Sequence, residues 1–317
     1  MLNNFSVSER KVAIIGAGFV GSLIAYALTI RKLAREIVLI DIHEEKTIGE
    51  ALDIQHGIPD MGISSVRAGT YADCKDCDLI IITAGRNRKR GESRLDLIAG
   101  NSAILKDVVG QMKPYYTKGV IMIVSNPVDV LVYQCTKWMG LPNGMVFGTG
   151  CILDSSRFTR LIADYTHLNT EVVKATIVGE HGDAQIPIWS RASIAGVPLQ
   201  EYCENVGLKW DEEIRKEISD KVREMGATII KGKGRTHYGI ATCVCYLAEA
   251  VLNQRLTIAP VSTMFQGEYG IEDVCLSVPS IIGVNGVEKR LEERWAEEEF
   301  QAFRQAADKM KKVLKTL

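Results

Sequence analysis

Several things are scarce in this 317-residue chain, and each scarcity removes a class of function. Charge of one sign is not in excess: 38 Lys and Arg stand against 39 Asp and Glu, a formal net charge of -1. A nucleic-acid partner held through its phosphates calls for a basic surplus, so none is expected. Long apolar runs are missing too. The aliphatic stretches, such as Leu79-Ile80-Ile81-Ile82, fall far short of the roughly 20 residues that span a bilayer. The opening MLNNFSVSERK has no apolar h-region and no cleavage-site pattern, so a cytoplasmic location with no membrane partner is expected. Internal repeats, low-complexity linkers and long charge blocks are absent.

Cysteine is present but not patterned. The 8 thiols are scattered, mostly inside apolar stretches, where a thiol behaves as a small hydrophobe. Cys74-Lys75-Asp76-Cys77 has the spacing of a redox pair or half a zinc site. No second pair or paired histidine follows it, and it precedes a strand instead of opening a helix, so no metal and no redox role is expected.

What is there reads as an ordinary globular mixture, with 46% hydrophobic and 24% charged residues and length enough for two domains. Val12 to Ile15, Ile37 to Ile40, Leu79 to Thr83 and Val120 to Val124 are nearly all apolar and rich in β-branched residues. Runs without a polar face suit a parallel sheet covered on both sides. Helical spacing over Phe19 to Ile30 links the first two runs. The order predicts a Rossmann-type, doubly wound α/β domain over 1–148. The remainder, 149–317, predicts an α+β domain. Its helices are expected over Ser155 to Tyr165, Glu212 to Ile230, Tyr238 to Leu252 and the stripe from Phe303 to Leu317. Its strands are expected over Val172 to Val178, Val261 to Met264 and Val274 to Pro279.

Gly16-Ala17-Gly18-Phe19-Val20-Gly21 is a G-x-G-x-x-G between a predicted strand and helix, with Asp41 about twenty residues on. Gly16 permits a tight turn, Gly18 lets backbone approach a pyrophosphate, and Gly21 lets the helix pack on the strand. Asp41 would bond the ribose hydroxyls and repel a 2′-phosphate. Ile42 and His43 offer no arginine to receive one, so NAD is expected over NADP.

Further motifs follow in order: Gly85 to Leu97 (GRNRKRGESRLDL), Val124 to Asp129 (VSNPVD), Ile152 to Phe158 (ILDSSRF), Val178 to Asp183 (VGEHGD) and Pro279 to Val287 (PSIIGVNGV). Together with GAGFVG they make the chain resemble the lactate/malate dehydrogenases from about Val12 to the terminal helix. That resemblance implies hydride transfer between NAD and a 2-oxo/2-hydroxy acid, in a homodimer or homotetramer. It assigns His181 as proton donor and Asp154 as the carboxylate that fixes its tautomer. Arg157 becomes the grip on the substrate carboxylate, Asn126 a partner of the substrate oxygen, Arg94 the polarising arginine and Thr236 a pocket wall. Cofactor contacts are implied for Phe19, Val20, Thr83, Ala84, Gly85, Asn101, Ser125 and Asn126. The same chemistry follows from the residue type, since histidine both gives and recovers a proton near neutral pH. An inactive NAD-binding scaffold on the same fold is the reading from another class. The presence of Asn126, Arg94, Asp154, Arg157 and His181 together disfavours it.

Which acid is a question of charge count. Arg88 stands where lactate dehydrogenases typically carry glutamine and malate dehydrogenases arginine. A dicarboxylate needs a second cation beside Arg157, and a monocarboxylate would strand it. The expectation is therefore a malate dehydrogenase, acting on a small dicarboxylate. Lactate is the alternative, because Gly91-Glu92-Ser93-Arg94-Leu95-Asp96-Leu97 is closer to the lactate-type loop, and Glu92 replaces a frequent methionine.

Overall fold

Aliphatic runs without a polar face build the first sheet. The computed structural model describes residues 10–61, 65–87 and 92–317. In it these runs become β1 (Lys11–Ile15), β2 (Glu36–Ile40), β4 (Leu79–Ile82) and β5 (Val120–Ile123), with β3 (Ser65–Ala68) and β6 (Val146–Gly148) beside them. The strands lie in the order β3-β2-β1-β4-β5-β6, every pair parallel. Val12 to Ile15, Leu79 to Ile82 and Val120 to Ile123 are all buried, as a sheet covered on both faces requires. Helices α1 (Phe19–Ile30), α2 (Glu44–Met61), α3 (Arg94–Met112) and α4 (Val128–Met139) make the crossovers. Strand order reverses between β1 and β4, the switch point at which doubly wound sheets take their ligands.

The chain divides into two compact units, and the second opens at Thr149. It contains α5 (Ile152–Thr166), β7 (Val173–Lys174), β8 (Ile177–Gly179), β9 (Gln185–Pro187), β10 (Ser193–Ile194), β11 (Val197–Pro198), α6 (Leu199–Val206) and α7 (Glu212–Lys233). The single strand expected over Val172 to Val178 is two strands in two sheets. β7 pairs antiparallel with β10, and β8 pairs antiparallel with β9. Between them the carbonyls of Ala175 and Thr176 accept from Thr159 Oγ1 (3.4 Å) and the Ile188 N–H (2.9 Å), so the backbone leaves one ladder for another. Phe158, Ile162, Val173, Ile177, Ile194, Cys203, Ile218 and Val222 form the core of this unit.

α7 is capped by Asp211, which accepts from the Ile214 N–H, and ends at Gly234 with φ +79°. It runs past the expected Ile230 because Lys231 and Lys233 favour the helix C-terminus, and only the left-handed glycine stops it. The chain then returns to the first unit: α8 (Tyr238–Leu252), apolar on most of its surface, packs against α1. β12 (Thr257–Gln266) and β13 (Glu272–Gly283) neighbour each other and lie mostly in the second unit; β14 (Gly286–Arg290) follows. α9 (Glu297–Leu314) buries Phe303, Ala306, Ala307 and Met310, while Leu317, expected in its stripe, lies past its end and is exposed. Among the described residues no helix is long and apolar enough to cross a membrane.

Candidate active site

The glycines of the first turn have different reasons to be glycine. Gly16 sits at φ +108°, and a Cβ there would lie 2.6 Å from both Ala84 N and Thr83 Oγ1. A Cβ on Gly21 would lie 1.8 Å from the Gly16 carbonyl oxygen, so only glycine lets α1 come this close to the turn. Gly18 is unlike both: a Cβ there would meet nothing within 4 Å. The fold does not need glycine at that point; a ligand passing close to the backbone would. Gly18 also opens α1 with no side-chain cap of its own, which suits the helix terminus to a phosphate. Phe19 is exposed there, beside the half-buried Val20.

Asp41 follows the carboxyl end of β2. Its Oδ2 accepts from the Ala17 N–H at 2.7 Å and its Oδ1 from the His43 N–H at 3.0 Å. Both bonds fix the carboxylate beside the glycine turn, and each oxygen keeps a lone pair for a ribose hydroxyl. Thr83 Oγ1 donates to the Gly16 carbonyl (2.8 Å) and Ser125 Oγ to the Ala84 carbonyl (2.6 Å), tying the ends of β1, β4 and β5 together. These features fit an adenine dinucleotide.

A buried amide organises the next layer. Asn101, only 3% exposed, accepts from the Arg86 N–H (2.9 Å) and donates to the carbonyls of Arg86 (3.1 Å) and Asn126 (2.6 Å). Its side chain thus shapes the segment after Gly85 and holds Asn126, which precedes Pro127 in a cis peptide. Arg86 grips Glu92 through both terminal nitrogens, at 2.7 and 2.5 Å. Opposite charges six apart in an irregular segment carry no periodic signal that would have paired them. Arg88 lies outside the described residues, and so does the side chain of Arg94, the first residue of α3.

In the second unit α5 and β8 deliver the candidate chemistry. Asp154 and Arg157, one helical turn apart, share a face of α5, and Arg157 Nη1 donates to Asp154 Oδ1 at 3.0 Å. Beyond β8 the chain passes Gly179 (φ +91°) to His181, whose Nδ1 meets Asp154 Oδ2 at 2.6 Å. Asp154 is 3% exposed. Burial by itself would raise its carboxyl pKa. The charge and hydrogen bond of His181, joined by those of Arg157, outweigh that and hold it below the usual carboxylate range. A carboxylate at Nδ1 makes that nitrogen the donor and turns Nε2 outward as the proton-transfer atom. Of the four residues that the resemblance singled out in this unit, Arg157 and His181 are therefore both joined to Asp154. Thr236, half-buried, lies on the segment joining α7 to α8.

Cys74 and Cys77 are both buried, and burial pushes each thiol up to about 12, which suppresses the thiolate that redox or metal chemistry requires. Among the described residues no group of three or more His, Cys, Asp or Glu could hold a metal ion.

Residues 10–148 match the lactate/malate dehydrogenase NAD binding domain, and residues 151–317 the alpha/beta C-terminal domain of the same family. The L-lactate dehydrogenase of Acetivibrio thermocellus is 40% identical over 316 residues, covering 100% of this chain and 99% of that protein. The L-lactate dehydrogenase of Thermoanaerobacterium saccharolyticum is 43% identical, covering 97% and 99%. Among solved structures, the minor L-lactate dehydrogenase of Enterococcus mundtii superposes with a TM-score of 0.94 at 39% identity, covering 98% of this chain and 99% of that one.

These relatives correct the expectation of a malate dehydrogenase acting on a dicarboxylate: each is a lactate enzyme, similar across its whole length. The expectation rested on the charge of one residue, Arg88, and a charge count does not say where a side chain points. Glu92, the lactate-like departure in the same segment, has a defined partner in Arg86. Fold, glycine turn and Asp154–His181 pair agree with the two matched domains: the chain belongs to the lactate/malate dehydrogenase family and is an NAD-dependent dehydrogenase.

Proposed function

We propose that the protein interconverts pyruvate and L-lactate. The observation that carries this reading is the buried Asp154 carboxylate clamped between His181 and Arg157, in a chain whose full-length relatives include L-lactate dehydrogenases. In the direction of reduction, His181 gives its Nε2 proton to the carbonyl oxygen of pyruvate. A bound NADH would supply the hydride that, with this proton, turns the ketone into a secondary alcohol. Asp154 stabilises the imidazolium before transfer and accepts the Nδ1–H hydrogen bond throughout, so that proton stays on His181. Arg157, held by one terminal nitrogen on Asp154, offers its remaining donors to the substrate carboxylate, a planar pairing that lysine cannot reproduce.

Arg94 completes the set as the group that polarises the carbonyl, with Asn126 beside the substrate oxygen and Thr236 at the pocket wall. Asp41, Gly16, Gly18 and Gly21 hold the cofactor, with Thr83, Ala84, Gly85, Asn101 and Ser125 around it. Exposed apolar side chains on α2 (Ile48, Leu52) and α8 (Tyr246) support a homo-oligomer, which sedimentation would measure. His181→Asn tests the proton role: NADH binding should persist while kcat for pyruvate falls by orders of magnitude. Wild-type kcat in that variant would end the assignment.

A further inference from the structure

β8 leads directly to His181 but is incompletely paired along one edge. On the β9 side Ile177 stands opposite Pro187, with hydrogen bonding in that ladder passing through its neighbours, as in the Ile188 N–H to Thr176 carbonyl bond. Ile177 therefore turns its own N–H and C=O to the other side. There β13 meets β8 at Gly179, opposite Ser277, one strand position beyond reach of Ile177. A side chain of α5 fills the gap. Ser155 Oγ accepts from the Ile177 N–H at 2.9 Å and donates to the Ile177 carbonyl at 3.4 Å. Ser155 is 8% exposed, so water is a poor substitute.

The position of this contact gives it consequence. Ser155 follows Asp154 directly, and Ile177 precedes His181 by four residues along a short strand and one turn. A second fastening runs parallel to it: the Cys151 N–H, at the start of α5, donates to Ser277 Oγ at 3.1 Å, and Ser277 is the residue of β13 opposite Gly179. α5 is thus tied to β8 through Ser155 and to the neighbouring β13 through Cys151. Arg157 rides on α5 together with Asp154, so sliding of β8 would disturb the imidazole and leave the guanidinium in place.

We infer that Ser155 is a positioning residue for proton transfer: by bridging the N–H and C=O of Ile177, its hydroxyl holds the strand that carries His181 in register with the helix that carries Asp154. This rests on the reading of His181 and Asp154 as the proton relay. Without the hydroxyl, both Ile177 groups are buried unpaired, β8 shifts toward other partners, and the 2.6 Å bond lengthens. His181 and Asp154 stabilise each other's charge reciprocally, so a longer bond also weakens the imidazolium.

The test compares Ser155→Ala, Ser155→Thr and Ser155→Cys with the parent in steady-state pyruvate reduction over a range of pH. Ser155→Ala should lose kcat by about 10- to 100-fold, the size of effect that a small misplacement of a reacting group produces. Its KM for pyruvate and its NADH affinity should stay within about twofold, since Arg157 and the dinucleotide site do not move. The basic limb of its pH–rate profile should move to lower pH. Ser155→Thr keeps the hydroxyl and should restore most of kcat. Should the alanine protein fail to fold, Ser155→Cys, with similar volume and a poor acceptor, should show a partial kcat loss and the same pH displacement. Unchanged kcat, or lost kcat with an unmoved pH limb, would overturn the inference. His181→Asn separates the two failures: if it is inactive while Ser155→Ala is normal, only the Ser155 role falls; if it is active, the relay itself is wrong.

Discussion

Replacing Asp154 by asparagine removes one charge and almost no volume, and the site's geometry sets the outcome. Asp154 accepts on both oxygens, from Arg157 Nη1 at 3.0 Å and from His181 Nδ1 at 2.6 Å. Asparagine has one oxygen and one NH2 group. Arg157 can only donate, so it claims the oxygen, and the amide N–H faces the Nδ1 of His181. Two donors then oppose each other whenever the imidazole is protonated. A charge-assisted hydrogen bond contributes about 1.5–3 kcal/mol, and the half-buried imidazolium loses its counter-charge as well. A loss near 3–4 kcal/mol in transition-state stabilisation corresponds to roughly two to three orders of magnitude in kcat for pyruvate reduction. The loss should be smallest at low pH, where protonation of His181 is forced, and grow as pH rises. NADH affinity, measured by fluorescence titration, should change little. A variant within about fivefold of parental kcat across that range would refute the proposed role of the carboxylate.

Three further outcomes follow from the same geometry. Gly18→Ala should leave thermal stability nearly unchanged, within about 1 kcal/mol, yet weaken NADH binding, because its Cβ meets no protein atom; Gly21→Ala should lose at least about 2 kcal/mol in a denaturation series, because its Cβ collides with a carbonyl oxygen. Asp41→Ser should narrow the preference for NADH over NADPH in kcat/KM by relieving repulsion of the 2′-phosphate, and an unaltered ratio would show that Asp41 is not at the ribose. Glu268 is held below the usual carboxylate range: burial opposes its ionisation, but backbone N–H bonds and Arg290 outweigh burial. Its stabilising contribution is thus present above its unfolded pKa and disappears as pH falls through the lowered folded value. Glu268→Gln should lower Tm near neutral pH and converge with the parent in acid.

The parts of this protein legible from sequence are those with a repeating physical demand. α1 and α8 occupy the residues that helical spacing marks out, Phe19 to Ile30 and Tyr238 to Leu252, because a continuous apolar face has one solution. The parallel strands likewise follow from runs with no polar face. Val172 to Val178 misled because alternation and β-branching describe a strand without saying which sheet it joins, and the chain changes sheets at Ala175 and Thr176. The glycine turn offers a separate reason for each glycine in sequence, and the structure adds the steric measure: a Cβ on Gly21 would collide with the Gly16 carbonyl, whereas one on Gly18 would meet nothing. Asn101 and the Arg86–Glu92 pair join distant or irregular segments, and no local pattern encodes such partners. The choice of acid was the largest error, since it turned one cation into a substrate without knowing its direction.

The proposal that this enzyme works on lactate and pyruvate is tested most directly by kcat/KM for pyruvate and for oxaloacetate, measured with NADH on the same preparation. Pyruvate should be clearly preferred, by about tenfold or more. An equal or greater efficiency with oxaloacetate would contradict it.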